Sequence, residues 1–377
     1  MAGRKKIKIP TLKELDRKFS GQYIPSEKDE SKSPWLPSRF LAFNKITGGG
    51  IPYGKIMELF GEESSGKTLM AYDFAYCAQY LGGIVLWVDA EQVFTNSWAE
   101  SNGLDLSKIV VYRNTSIEKI SDWIAAQSLY WRSQLTNNEP ILLILDSVSA
   151  LDTDANIDSE MDNASADMGN RAKAIYKFFR IRNEMLYSLG ITQIYINQLR
   201  KNLKAGMFEN PDTTPGGQAL RFYASLRIGL YGGKQITKKI KGKERKIGRV
   251  TSIRTMKNKV APPGPTLKST PLYNNPRYVD TVGFDRLHFL DEILIEEGIV
   301  DKSSSGTFTY KGKTLCRGSE KFKTLLEDDD SLRRKLIKKA NINTLGNTKK
   351  LLASLNENLY PIDNSSVDDY SEEEEDE

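Results

Sequence analysis

Apolar and polar positions along this chain follow two alternating rhythms. Ile56 to Phe60, Ile84 to Val88, Ile109 to Tyr112, Ile141 to Leu145 and Ile191 to Gln198 are short apolar runs rich in β-branched residues, the pattern of strands covered on both faces. Between them lie helix-like segments, among them Leu69 to Gly83, Asn96 to Asn102 and Ser116 to Gln134. Strand and helix keep trading places, which predicts an α/β fold with a mainly parallel sheet flanked by helices on both faces. Residues 1 to 38 form a lysine-rich arm and a Ser/Pro/Lys linker around one short amphipathic stretch, Thr11 to Phe19, with Leu12, Leu15 and Phe19 at helical spacing. A helix that short is marginal alone and is expected to dock on another surface, such as a neighbouring subunit. Beyond a core at 39–275, residues 276–345 carry helix-like LDEILIEEG and RRKLIKKA around a strand-turn-strand at Phe308 to Leu315, the pattern of a small α/β domain. Residues 346–377 turn polar and then acidic.

The first strand and the helix after it enclose Gly61, Glu62, Glu63, Ser64, Ser65, Gly66, Lys67 and Thr68, a complete GxxxxGK[ST] in strand-loop-helix context. The glycines let the backbone fold tightly, so that successive N–H groups and the helix N-terminus point at phosphate oxygens. Lys67 then reaches the β- and γ-phosphates, and the Thr68 hydroxyl ligates Mg²⁺. Acids close two of the apolar runs: Asp89-Ala90-Glu91 and Asp146. Carboxyl ends of parallel strands are where open α/β sheets bind ligands. Glu91 is the candidate for orienting the attacking water, and Asp146 for holding Mg²⁺ through Thr68 or a water. Gln198 ends a further strand, where a neutral amide can sense a γ-phosphate without adding charge.

Composition narrows the chemistry. The single histidine, His288, excludes any His pair or triad, and the two cysteines, Cys77 and Cys316, lack the spacing of a disulfide framework or zinc site. A reducing, cytoplasmic setting is expected. No apolar run is long enough to span a bilayer, and no h-region of a secretory signal follows the basic start. The net charge of +5 hides an uneven distribution, because eight acids and no cation lie between Asp368 and Glu377. The body is therefore basic, which suits a polyanion such as nucleic acid, and the acidic end could compete for the same surface.

GEESSGKT, VDAEQ, ILDSVSAL, INQLRKN, MFENPDTTPGGQALRFYAS and MKNKVAPP follow one another in the order and spacing of the bacterial RecA recombinases, which the chain resembles over roughly residues 36 to 340. The family includes the UvsX branch of bacteriophages. The resemblance implies a DNA-dependent ATPase that polymerises on single-stranded DNA as a helical filament and exchanges strands with a homologous duplex in recombination and repair. ATP and Mg²⁺ are the implied cofactors, and single-strand-binding and loader proteins are further candidate partners. By position Lys67 and Thr68 resemble the phosphate and Mg²⁺ ligands, Glu91 the catalytic carboxylate, Asp146 the Walker B acid and Gln198 the γ-phosphate switch. Trp98 falls where the family usually has a tyrosine stacked on the purine. ATP lies between subunits in such filaments; Lys257 and Lys259 match the cations supplied by the next subunit, and Arg221 stands where lysine is frequent.

Two segments carry the implied DNA contacts. The first, about Asp152 to Asn170, matches the family around Met168 and Gly169 and leads into a helix with Arg171, Lys173 and Arg180. The second, Arg200 to Gly217, offers Arg200, Lys201, Gly216 and Gly217, with Leu203 and Met207 as wedges between bases. It is one residue longer than the usual bacterial version and has Pro215 where threonine is common. The basic segment Thr237 to Lys246 departs from the family and is either a projection for duplex DNA or a solvated hairpin tip. Two other readings compete: a hexameric helicase on the same core, against which MFENPDTTPGG and MKNKV argue, and a non-catalytic accessory protein, against which Glu91 and the paired lysines argue.

Overall fold

The computed structural model describes residues 34–135, 138–157, 164–201, 212–216, 218–262, 264–277, 279 and 282–355, with the backbone alone for 164–168, 201, 212 and 213. The amphipathic stretch at Thr11 to Phe19, the acidic end, Leu203, Met207 and Gly217 lie outside the described residues.

Among the described residues nine strands make one sheet. In chain order they are β1 (Ile56–Gly61), β2 (Ile84–Asp89), β3 (Ile109–Tyr112), β4 (Ile141–Asp146), β5 (Ile191–Gln198), β6 (Leu226–Ile240), β7 (Lys243–Asn258), β8 (Leu267–Tyr273) and β9 (Gly283–Phe284). Across the sheet the order is β9-β8-β7-β6-β1-β5-β4-β2-β3. From β6 through β1 to β3 every pair is parallel, whereas β7, β8 and β9 add antiparallel. The expected parallel core is present, extended by an antiparallel edge that the apolar runs did not announce.

Successive side chains of a strand face opposite ways, and the core divides accordingly. Met57, Leu59, Val85, Trp87, Leu142 and Ile144 face helix α1 (Lys67–Tyr80), meeting Met70 and Phe74. Ile84, Leu86, Val88, Leu143 and Leu145 face helices α2 (Ile117–Gln134) and α3 (Ala164–Ser188), meeting Ile120, Ile124, Phe178 and Phe179. Ser116 caps α2 by accepting the Lys119 N–H at 3.1 Å, so the helix starts where a hydroxyl can satisfy an orphan donor. The first α1-side cluster runs on into the C-terminal elements, through Leu290, Phe308, Phe322 and Leu336. There Thr307–Tyr310 and Lys313–Arg317 pair antiparallel, as the strand-turn-strand pattern predicts, and the Phe308 and Phe322 rings stack at 4.4 Å.

Strands β6 and β7 form a long hairpin whose turn residues, Lys241 and Gly242, have φ of +49° and +76°. Positive φ at both central positions is the two-residue turn that matches strand twist. Pairing of β6 with β1 stops at Leu230, and pairing of β7 with β8 begins at Gly248. The outer hairpin therefore continues beyond the sheet as a two-stranded ribbon, and Thr237 to Lys246 is its tip.

Candidate functional site

The loop between β1 and α1 is held open by backbone geometry. Gly66 caps α1 with φ +100°, and a Cβ there would lie 2.6 Å from Leu272, so only glycine fits. No side chain caps this helix, which leaves its first N–H groups free for an anion. The Lys67 ammonium folds back onto the carbonyls of Gly61 (3.1 Å) and Glu62 (2.7 Å). Burial lowers its pKa, opposed by Asp146, Glu91, Glu63 and Glu62. The Thr68 hydroxyl donates to Asp146 at 2.9 Å. Burial pushes the Asp146 carboxyl up to about 7, against the pull of Thr68, with Glu91 adding to the rise.

Glu91 is exposed, and three elements fix it. Its own N–H and that of Ala90 donate to the Asp146 carbonyl at 3.2 and 2.8 Å. Its carboxylate accepts from the Ser147 hydroxyl and, at 3.1 Å, from the Gln198 amide. Asp89, which sequence reasoning passed over, is fully buried and accepts the N–H groups of Val93 (2.9 Å) and Phe94 (3.1 Å) while pairing with Arg113 at 3.2 Å. That carboxylate shapes the turn carrying Glu91. Trp98, on the short helix Asn96–Ser101, is half-buried and lines an open cleft with Ser64, Ser65, Gly66, Lys67, Thr68 and Leu69 on one side and Leu272 and Asn274 on another. Arg249 of β7, also missed, donates to the Ser64 carbonyl at 3.0 Å and reaches that of Glu63 at 3.4 Å, bracing the loop from outside.

These groups suit a nucleoside triphosphate with a divalent ion. No cluster of three His, Cys, Asp or Glu groups occurs among the described residues. The Thr68 and Asp146 oxygens, 2.9 Å apart, would instead fit the one or two protein ligands that Mg²⁺ takes when phosphates and water complete its shell.

Lys257, Lys259 and Arg221 gather elsewhere. Lys257 donates to the carbonyls of Arg221 (2.6 Å) and Phe222 (3.1 Å), and the Lys259 ammonium lies 5.9 Å from the Phe222 ring centre. Burial, Lys259 and Arg227 together lower the Lys257 pKa. In register Lys257 stands opposite Arg227, and Arg227 opposite Glu58. Glu58 is three residues short of Gly61, so the cations sit roughly 10 Å down the strands and two strand spacings across from the chain's own phosphate loop.

Met168 and Gly169 lie on α3, which begins at Ala164, so this stretch is helical where a loop was expected; Gly169 is exposed. Lys173 and Arg180 are exposed on the same helix. Arg171 is tied to the carbonyls of Val148 (3.1 Å) and Ser149 (2.7 Å), and burial lowers its pKa. Arg200 and Lys201 pair antiparallel with Thr213 and Asp212, closing the base of the second segment directly after Gln198. Gly216 has φ +89°, and the neighbouring Pro215 carbonyl accepts from Asn197 at 3.0 Å. Asn197 also donates to buried Glu58 at 3.1 Å, and Glu58 pairs with Arg227. None of this last network was anticipated.

Residues 6–276 match the RecA N-terminal domain. The chain belongs to the RecA family. It is 32% identical over 345 residues to Protein RecA of Frankia casuarinae, covering 90% of this chain and 93% of that one. Over 329 residues it is 32% identical to Protein RecA of Corynebacterium urealyticum, covering 86% and 82%, and over 289 residues 34% identical to that of Chloroherpeton thalassium, covering 76% and 74%. This RecA family member is an ATP-dependent recombinase of DNA recombination and repair, and a DNA-dependent ATPase. No helix among its described residues is long and apolar enough to cross a membrane.

Proposed function

We propose that this chain hydrolyses ATP at Gly61 to Thr68 with Mg²⁺ on Thr68 and Asp146, and couples that turnover to homologous pairing through the contact between Gln198 and Glu91. The contact carries the reading because it joins the acid that would orient water to the strand entering the second DNA segment. ATP supplies the phosphoryl group and Mg²⁺ neutralises its oxygens. Lys67 swings from the Gly61 and Glu62 carbonyls to the phosphates. Glu91 holds the attacking water by one carboxylate oxygen, and Trp98 offers a flat face to the base.

Release of the Gln198 amide from Glu91 would turn it toward the γ-phosphate and shift Arg200 and Lys201, an order switch triggered at the nucleotide. The cations Lys257, Lys259 and Arg221, separated from their own loop by two strand spacings, serve the phosphates of the next subunit in a filament. Lys173, Arg180 and Gly169 on α3 and Arg200, Lys201 and Gly216 at the second segment bind the single strand by its backbone. The division at residues 39, 276 and 346 and a cytoplasmic location belong to the same reading.

The test is ATP hydrolysis with and without single-stranded DNA, beside Lys67→Ala, with electron microscopy of the same mixtures. DNA-stimulated turnover and helical filaments, with turnover absent in the variant, are expected. Closed rings, or no turnover in the unaltered chain, would overturn the proposal.

A further inference from the structure

Helix α3 sorts its cations by face. Arg171, Ile175, Phe178 and Phe179 recur at i, i+4, i+7 and i+8, so Arg171 extends the apolar stripe packed on the sheet, where the other three are buried. Lys173 and Arg180 lie off that stripe and are exposed, whereas Arg171 is half-buried. Its guanidinium reaches the 3₁₀ turn Val148–Ala150 that follows β4, donating through one nitrogen to the carbonyls of Val148 (3.1 Å) and Ser149 (2.7 Å). Ser147 has a single O–H and spends it on the Glu91 carboxylate, so in the contact between the Ser147 and Ser149 hydroxyls the donor is Ser149. Two hydroxyls in series polarise one another, which strengthens the bond on Glu91. Arg171, Ser149, Ser147 and Glu91 thus form one continuous run from the first DNA segment to the acid that would orient water. It ends on the oxygen that also accepts from Gln198.

The second segment meets the same run. Gly216 lies against the turn, where a Cβ would stand 3.2 Å from Val148 and 3.4 Å from Ile175. Burial lowers the Arg171 pKa, Asp152 opposes that and Arg200 adds to it. The Arg171 Nε is buried without a hydrogen-bond partner among the described residues. A phosphate that neutralises Arg200 therefore firms the hold of Arg171 on its two carbonyls. Capping a short helical turn accounts for those two bonds, but not for a second hydroxyl set behind Ser147.

We propose that Arg171 is a positioning residue for hydrolysis: acting through Ser149 and Ser147, it fixes the Glu91 carboxylate when single-stranded DNA engages Arg200, and does not itself bind DNA. The inference rests on the recombinase reading above. It gives the first DNA segment a link to the nucleotide site that is separate from Gln198.

The test compares the full chain with Arg171→Ala, Arg171→Lys, Ser149→Ala and the double variant carrying Arg171→Ala and Ser149→Ala. ATP hydrolysis is measured with and without single-stranded DNA, and binding of a labelled oligonucleotide across a salt series. Expected for Arg171→Ala and for Ser149→Ala is a fall of about three- to tenfold in the DNA-stimulated kcat, with KM for ATP within about twofold. The double variant should fall no further than the worse single one, because both interrupt one run. Lysine supplies a charged donor without the planar fork, so Arg171→Lys should recover part of the loss. Affinity for the oligonucleotide and its log–log salt slope should stay as in the unaltered chain. A slope shallower by about 0.7 in Arg171→Ala would make Arg171 a phosphate contact and overturn the proposal. Additive losses in the double variant would overturn it too. So would full stimulation in Ser149→Ala, which removes one half-buried hydroxyl and tests the run even where Arg171→Ala unfolds the chain. Absence of single-strand-stimulated hydrolysis in the unaltered chain would instead count against the recombinase reading itself.

Discussion

The Gln198 amide donates to the Glu91 carboxylate across 3.1 Å, on the same oxygen that accepts from Ser147. One atom thus ties together the ends of β5, β2 and β4, three strands adjacent to one another in the sheet apart from the order in which the chain visits them. Anything that competes for either partner is felt at once by the backbone leading to Arg200.

Gln198→Ala is expected to keep unstimulated ATP hydrolysis within about threefold while losing most of the stimulation by single-stranded DNA, since it removes a charge-assisted bond worth about 1.5 to 3 kcal/mol but no reacting group. Glu91→Gln should instead lower kcat about 100-fold or more in both conditions with KM for ATP little changed. Steady-state hydrolysis at several DNA concentrations separates the two; similar behaviour of both variants would refute the assigned roles.

Lys257→Ala and Lys67→Ala should each abolish DNA-stimulated hydrolysis alone yet complement when mixed. In a head-to-tail assembly, an intact phosphate loop meets an intact Lys257 at about one interface in four of an equal mixture. Activity near that fraction is the expected result. Silence of the mixture would mean that Lys257 acts within its own subunit.

Arg249→Ala removes the donors to Ser64 and Glu63 without touching the nucleotide cleft. A rise of about tenfold in KM for ATP, with kcat at saturation nearly unchanged, follows from losing one charged hydrogen bond to the loop. An unchanged KM would show that the loop keeps its shape unaided.

Glu58→Ala would leave Arg227 without its buried partner and Asn197 without an acceptor. The expected loss is about 3 to 5 kcal/mol in urea unfolding. Glu58→Gln keeps an acceptor for Asn197 and should lose less, a comparison that urea midpoints decide.

Cys77 is fully buried in α1, and burial raises its thiol well above the ordinary value, whereas Cys316 is half-buried with a smaller rise of the same origin. Only Cys316 should react with iodoacetamide in the folded protein, and both in urea. Mass spectrometry of the labelled chain gives the answer directly.

Local sequence made parts of this legible and left others dark for a physical reason. The strands from Ile56, Ile84, Ile141 and Ile191 announce themselves because both faces are covered, and the phosphate loop because its glycines and lysine are contiguous. Ser116 marks the start of its helix by its own hydroxyl. Arg249 sits 185 residues from Ser64, and Glu58 lies 169 from Arg227. Only strand order and register bring such pairs together, and neither is written in a window of neighbouring residues. The helical start at Ala164 was hidden for another reason: its Ser, Asp and Asn content reads as loop, and propensity yields there to the rest of the helix packed on the sheet.

Strand β7 puts three of these places on one covalent line. Lys243 and Arg245 lie on the ribbon, Arg249 braces the phosphate loop, and Lys257, one residue before the strand's end, holds the Arg221 carbonyl. An extended strand barely stretches along its own length, so it behaves as a tie rod. A shift of the strand along its own axis would therefore load the Arg249 brace on the phosphate loop and the Lys257 hold on Arg221 within the same instant.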